Sequence, residues 1–136
     1  MQAIRQPVSV LFLLLSILGC GREPTTPEEK AKTLLGDGQY DAALEQCIAA
    51  ISLSPKNADL WILRGKIHQL QELPQEAMAA FEEAGQLDPT DPEPHYCLAN
   101  VYKSLGDTDK YIECHERAKA LDPDSQIAYI NEPRTP

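Results

Sequence analysis

The candidate nucleophiles and soft-metal ligands of this chain are four thiols and three imidazoles. His95 lies two residues before Cys97, and Cys114 is followed directly by His115. Two cysteines and two histidines form a ligand set that suits zinc or another soft metal. However, adjacent residues on a helix point about 100° apart, so Cys114 and His115 are poorly placed to share one ion. We therefore expect no metal and no other cofactor, and we expect the histidines to occupy packing positions.

Three of the cysteines, Cys47, Cys97 and Cys114, form an odd set without a C-x-x-C pair. In an oxidising compartment such a set permits one disulfide and one free thiol. The alternative, which we favour, is that all three are small apolar core residues on helices. The chain lacks a G-x-S-x-G motif, an H-E-x-x-H motif and a glycine-rich phosphate loop. We therefore expect a protein that is not an enzyme, with thiol or metal chemistry at Cys97 and Cys114 as the least favoured alternative.

The fourth cysteine, Cys20, ends an apolar run that follows a single basic residue, Arg5. The run covers the 11 residues 8–18, and a membrane span needs about 20 residues. The segment 17–20, Ile-Leu-Gly-Cys, resembles the end of a bacterial lipoprotein signal peptide. This resemblance implies that residues 1–19 are removed and that an acylated Cys20 anchors the chain in a bilayer. An ordinary secretory signal that happens to end near a cysteine is the alternative.

The lipoprotein resemblance also implies a location. Residues 20–25 would be a short tether, so the rest of the chain would lie close to the extracytoplasmic face of a membrane. Gly21, and not aspartate, follows the cysteine, which implies the outer membrane if the organism is a Gram-negative bacterium. Without Arg5 the mature chain has 11 basic and 21 acidic residues, a net charge of −10. Such a chain is not expected to bind nucleic acid or an anionic lipid surface.

The rest of the chain repeats with a regular period, which is visible first in its prolines. Each copy ends with a proline that stands two residues after a leucine, and alanines or other small residues recur at two earlier positions. Four columns that stay in phase across three copies are a strong repeat signal. The proline, alanine and small-residue columns are Pro55, Pro89 and Pro123, then Ala50, Ala84 and Ala118, then Ala31, Gly65 and Ala99.

The repeat period of about 34 residues, together with the motif of the middle copy, resembles the tetratricopeptide repeat. The middle copy carries Trp61, Gly65, Ala77, Phe81 and Pro89 at the family's spacing. The resemblance covers residues 26–123 and implies an all-α solenoid of helix-turn-helix repeats. Small residues of the first helices, with Ala43 and Ala77 of the second helices, would then allow the two helices of a repeat to approach closely. The implied repeats are 24–57, 58–91 and 92–125.

Helix start and stop signals divide each copy into two helices. Thr26 and Glu29 form a capping box around Pro27, which suits the first position of a helix. Gly38 and Gly106 stand in turns, where a left-handed residue is commonly needed. We predict helices over residues 27–36, 40–53, 58–70, 74–87, 92–105 and 109–121.

Residues 124–136 hold a short amphipathic stub over 125–131 that stops before Pro133. In one interpretation Ile127 and Ile130 pack back on the third repeat and cover its apolar end. In the other, the stub is too short, and part of that end stays bare for a partner or for a second copy of this chain. The sequence leaves both open.

In this family the first helix of each repeat lines a concave groove that holds an extended peptide or a partner helix. Residues three and four apart share a helix face, so equivalent positions of the three first helices form a continuous strip. The strip carries three lysines on an acidic chain, which predicts an acidic or carboxylate-bearing partner, with Tyr96 as the anchor. An ordinary solvated face is the alternative. The predicted groove residues are Lys32, Leu35, Ile62, Lys66, Gln69, Tyr96, Asn100 and Lys103.

These expectations together describe a membrane-anchored scaffold that holds a partner polypeptide near the membrane surface, in an assembly, secretion or pilus-biogenesis complex. The alternative function is a repeat subunit that self-associates or docks end-on through an incompletely capped C-terminal end. Capture of a chaperone-type C-terminus is disfavoured, because Glu28 and Glu93 place acids where the family's carboxylate clamp has bases.

Overall fold

The computed structural model describes residues 25–124, which form six α-helices and no strand. These helices agree with the predicted bounds to within one residue, and the all-α solenoid is confirmed. The signal peptide, Cys20, most of the tether and the stub with Ile127 and Ile130 lie outside the described residues. The helices are α1 (Pro27–Gly36), α2 (Tyr40–Leu53), α3 (Ala58–Leu70), α4 (Pro74–Leu87), α5 (Glu93–Leu105) and α6 (Thr108–Leu121).

Side-chain caps explain where several helices begin. At α1 the Thr26 hydroxyl accepts a hydrogen bond from the Glu29 backbone N–H at 3.1 Å, and the Glu29 carboxylate accepts one from the Thr26 N–H at 3.2 Å. Asn57 caps α3 and Asp107 caps α6 in the same way, each with a side-chain oxygen that accepts from the first turn. Each cap satisfies a backbone donor that the helix itself leaves without a partner.

Three equivalent positions, one in each repeat, end the first helices in a left-handed turn. Gly38 and Gly106 have φ values of 73° and 77°, as the sequence predicted. Glu72 holds the same place in the middle repeat with a φ of 61°, which the sequence did not predict. A residue with a Cβ is strained in this conformation, whereas glycine adopts it readily.

Replacing Glu72 by glycine is therefore expected to stabilise the fold by about 1 kcal/mol, the approximate cost of a left-handed backbone for a non-glycine residue. Chemical denaturation of Glu72→Gly would measure the gain. Glu72→Ala is the matched control, because it removes the same exposed charge and keeps the Cβ. Equal stability of the two variants would contradict the backbone explanation.

The core consists of two apolar clusters that join successive repeats. Small residues let the helices meet, because Ala31, Ala43 and Ala77 are fully buried. Gly65 is buried as well. Ala50, Ala84 and Ala118 are buried as well. The prolines of the repeat are exposed and follow the second helix of each repeat. The first cluster comprises Ala31, Ala43, Cys47, Leu63 and Ile67, and the second comprises Ile62, Ala77, Phe81, Ala84, Leu98 and Val101.

No helix within residues 25–124 is both long enough and apolar enough to cross a bilayer.

Candidate functional site

The first helices α1, α3 and α5 contact one another in sequence along the array. Most of the predicted groove residues therefore come together on one surface, which we call the groove. Lys66, Gln69 and Lys103 are exposed on α3 and α5, and Asn100 is half-buried between them along the strip. On α1, Lys32 is exposed and Leu35 is half-buried.

Two of the predicted groove residues are buried and require a correction. Ile62 is 4% exposed and belongs to the core cluster between the second and third repeats. Tyr96 is 5% exposed, and its ring meets the His115 ring edge-on at a centroid distance of 5.9 Å. A side chain so deeply packed cannot offer its area to a partner, so the anchor role predicted for Tyr96 does not fit the structure.

The groove lysines differ in their partners. The Lys66 ammonium lies 2.6 Å from the Glu93 carboxylate of α5, which joins the second and third repeats across the groove. Lys32 pairs with Glu28 one turn earlier on α1 at 2.7 Å. The Lys103 ammonium instead lies 5.9 Å from the centre of the Tyr111 ring. Two of the three lysines are thus already paired with neighbouring acids, so the groove is not the strip of free positive charges that the sequence predicted.

The ion pair with Glu93 changes the pKa of Lys66. Partial burial acts to lower the pKa of Lys66, but the hydrogen bond and the charge of Glu93 outweigh it and raise that pKa above its ordinary value. Both side chains are about half exposed, at 46% and 48%, and an exposed pair of this kind contributes little to stability. The pair can therefore open without a large cost when a partner offers either charge a better contact.

The cysteines and histidines of residues 25–124 are not grouped as a metal site. Cys47, Cys97 and Cys114 are free thiols, and within residues 25–124 no group of three or more His, Cys, Asp or Glu side chains is arranged to hold a metal. Burial raises the pKa of Cys47 and of Cys97 to about 11, and burial also raises the pKa of Cys114. Because the thiolate is the reactive form, these thiols are held in the unreactive one.

A polar network that the sequence did not predict joins the first two repeats. His68 is 6% exposed, and its Nδ1 lies 3.1 Å from the Gln71 side-chain oxygen. The Gln71 amide donates to the Asp41 carboxylate on α2 at 2.8 Å. Arg64 lies beside His68, with its guanidinium over the Trp61 ring at 5.5 Å. One feature of the sequence could have indicated this network. Arg64 stands where the family motif has a leucine, one turn before His68.

Stability is expected to fall as the pH drops below 6.5. Burial lowers the pKa of His68, and the Arg64 charge lowers it further against the Gln71 hydrogen bond and the Glu76 charge. Burial and the Arg117 charge likewise lower the pKa of His95. The folded state thus disfavours protonation, whereas unfolded imidazoles take up protons near their ordinary pKa of 6.5. The stability that the two neutral histidines contribute is therefore complete above pH 6.5 and is lost as the pH falls below it.

Urea denaturation midpoints at pH 7.5 and pH 5.5 would measure this loss. His68→Tyr, which carries the residue usual in this column, removes one titrating group and should flatten the profile. A profile that is equally steep in the variant would contradict the assignment to His68.

The chain matches known repeat families in its second half. A family model described as a TPR repeat matches residues 75–106, and one described as a tetratricopeptide repeat matches residues 93–125. The protein O-mannosyl-transferase TMTC1 of Mus musculus is 32% identical over 105 residues, which is 74% of this chain. The match spans 11% of that protein's length.

Solved structures resemble the whole described fold. The TPR domain of Arabidopsis OM64 aligns with a TM-score of 0.71 and 19% identity, over 76% of this chain and 86% of that one. The first TPR of Spaghetti (RPAP3), bound to the HSP90 peptide SRMEEVD, aligns with a TM-score of 0.70 and 17% identity, over 82% of this chain and 91% of that one. These likenesses confirm the repeat architecture that the regular period of the sequence predicted.

Proposed function

We propose that this chain of tetratricopeptide repeats is a membrane-anchored scaffold whose groove binds an extended segment of a partner polypeptide. The observation that carries the proposal is the run of exposed or half-buried polar side chains along α3 and α5, which are Lys66, Gln69, Asn100 and Lys103. The RPAP3 structure, which has a similar fold, is bound to a short peptide, and this supports a peptide as the kind of ligand.

The groove offers hydrogen bonds that do not depend on the partner's side chains. The carboxamides of Gln69 and Asn100 each carry donors and an acceptor, so they suit the N–H and C=O groups of an extended backbone. Such contacts leave the choice of partner to the charged groups on either side of them.

The charges favour a partner acid near the third repeat. Lys103 has no ion pair among the described residues, so a carboxylate can approach it directly. A carboxylate that pairs with Lys66 must first displace Glu93, and a partner base could pair with Glu93 instead. The three groove lysines are therefore not equivalent, and we expect Lys103 to select acids more strongly than Lys66 or Lys32.

The anchoring part of the proposal is supported by the segment 17–20 and Cys20. Because the tether is only the few residues between Cys20 and the Thr26 cap, a lipid on this cysteine would hold the groove close to the bilayer. A partner polypeptide would then be bound where an assembly, secretion or pilus-biogenesis complex works.

Reversing the charges of Lys66 and Lys103 is expected to weaken partner capture by about a hundredfold or more, because two charged hydrogen bonds of about 1.5–3 kcal/mol each are lost. The measurement is a mild-crosslink pull-down from membranes with the full chain, compared with Lys66→Glu/Lys103→Glu. Lys30→Glu/Lys56→Glu is the matched control, since both lysines are exposed outside the groove. Circular dichroism should show that each double variant keeps its helices.

The same experiment with Cys20→Ala tests the anchor separately. Partners retained by the full chain and lost with Cys20→Ala support delivery of the groove to a membrane complex. Unchanged capture by the Lys66 and Lys103 double variant would contradict the groove. Recovery of the same soluble partners with Cys20→Ala would contradict a functional role of the anchor.

A further inference from the structure

The second helix of the last repeat exposes a stripe of four residues, two of which have half-buried counterparts in the first two repeats. Asp109, Ile112, Glu116 and Lys119 are spaced so that they share one face of α6, and we call this face the end stripe. All four are exposed, and Ile112 is 51% exposed. The equivalent residues Leu44 and Met78 are half-buried in the earlier repeats, and this contrast makes the stripe a candidate contact surface.

The equivalent residues of the earlier repeats contact the first helix of the next repeat. Asp41, equivalent to Asp109, accepts a hydrogen bond from the end of the next first helix. Leu44 and Met78, which are equivalent to Ile112, pack against core clusters that contain residues of the next first helix. Gly85, which is equivalent to Lys119, faces the start of α5. In both internal interfaces the positions equivalent to Ile112 and Lys119 are therefore partly covered by the next first helix, whereas the positions equivalent to Glu116 stay exposed. That helix runs antiparallel to the stripe because a short connection joins the two.

The opposite end of the solenoid is not a complement for the end stripe. The α3 residues that pack on the first repeat are Leu60, Leu63 and Ile67, and they are largely buried. The equivalent positions one repeat earlier are Thr26, which caps α1, and Glu29 and Thr33 on α1. All three are polar and exposed. Covering an apolar side chain with such groups would cost their hydration. Head-to-tail stacking of copies is thus disfavoured.

We propose that two copies of this chain pair through their end stripes, with the two α6 helices antiparallel about a two-fold axis level with residue 114. In this register Asp109 of each copy faces Lys119 of the other, so two opposite-charge contacts form. Ile112 of each copy then packs along the aliphatic part of Glu116 of the other. The interface uses the same patch on both copies and closes on itself, as is usual for homodimers.

The pairing is independent of the groove, because no groove residue belongs to the end stripe. It is expected to be weak in dilute solution, since the stripe is one helix wide and its charges are exposed. The membrane anchor proposed above would raise the local concentration of the copies and thereby favour the pair.

Co-capture of two differently tagged full chains, crosslinked mildly in the membrane before detergent is added, tests the proposal. Wild-type copies should capture each other. Asp109→Lys paired with itself, and Lys119→Asp paired with itself, should each lose most of this capture, because like charges then face each other twice. Glu45→Lys, a charge reversal at an exposed site on α2, is the matched control and should capture itself as well as the wild type does.

Mixing the two single variants makes the test specific. The substituted position 109 of one chain then faces the substituted position 119 of the other with opposite charge, and the unchanged Lys119 and Asp109 also face each other. Both opposite-charge contacts return, so capture should recover. Asp109 and Lys119 also complement the dipole of α6, and recovery in the mixed pair excludes a loss caused only by a weakened helix. The double variant Asp109→Lys/Lys119→Asp should also capture itself.

Three results would overturn the pairing. The first is absence of co-capture between wild-type copies, and the second is self-capture of both single variants at the wild-type level. The third is co-capture that appears only after residues 125–136 are removed, which would mean that this segment of the chain occupies the end stripe. Partner capture through the groove is measured with the Lys66 and Lys103 double variant, and pairing is measured by co-capture of two tagged chains. Failure of one proposal is therefore distinguishable from failure of the other.

Discussion

Replacing Phe81 by alanine is expected to destabilise the fold by about 3–5 kcal/mol, because a fully buried aromatic ring is lost from a packed core and leaves a cavity. Phe81 has no exposed surface. It lies in the cluster that holds α3, α4 and α5 together, with Ile62, Leu98 and Val101 around it. Domains of about this size have a total stability of roughly 5–15 kcal/mol, so the loss would remove much of it.

Urea denaturation followed by circular dichroism would measure the effect of Phe81→Ala. Met78→Ala is a suitable control on the same helix, since Met78 is half-buried at the edge of the same cluster and should cost clearly less. A loss for Phe81→Ala below about 1 kcal/mol, far under the usual range for such substitutions, would contradict the packing described here.

Adding one methyl group at Gly65 is expected to destabilise the fold by about 1–3 kcal/mol, although alanine favours a helix over glycine by about 1 kcal/mol. A Cβ at this position would lie 2.6 Å from Cδ1 and 2.8 Å from Cζ of Phe81. The ring is fully buried, so moving it would disturb the residues packed around it. The overpacking therefore outweighs the gain in helix propensity, and the denaturation midpoint of Gly65→Ala should fall.

The same contact predicts a reversal of sign. With Phe81→Ala already present, the space beside residue 65 is empty, so Gly65→Ala should stabilise the fold through its helix propensity by up to about 1 kcal/mol. A double-mutant cycle over the two positions would measure this coupling. Additive effects of the two substitutions would show that the Phe81 ring is not the reason why residue 65 must be a glycine.

Comparison of the repeats supports this explanation. The pair of Gly65 and Phe81 corresponds to Ala31 with Cys47 in the first repeat, where the second-helix residue is smaller and the first helix carries a methyl group. The repeat period predicted that the first-helix positions, Ala31 and Gly65, would be small and closely packed. It could not show which pair leaves no space for a Cβ, because that depends on the distance between two helices.

Several features of the groove also depend on that arrangement. The sequence placed the lysines and amides of the first helices on one face, and the structure shows Lys66, Gln69 and Lys103 exposed there. It did not reveal that Lys66 pairs with Glu93, which lies in the next repeat and on another helix. Nor did it reveal that Tyr96 packs against His115. Both depend on where neighbouring helices cross.

The sequence alone therefore determined the local properties of this protein, namely the helix bounds, the cap at Thr26 and the repeat period. These follow from interactions within a few residues and from a periodicity that is written directly in the chain. The tertiary structure decided the left-handed backbone at Glu72, the network of His68 and the neutralised charge of Lys66. It also decided the different surroundings of Phe81 and Ile112, because burial and ion pairing depend on distances between helices that spacing along one helix does not contain.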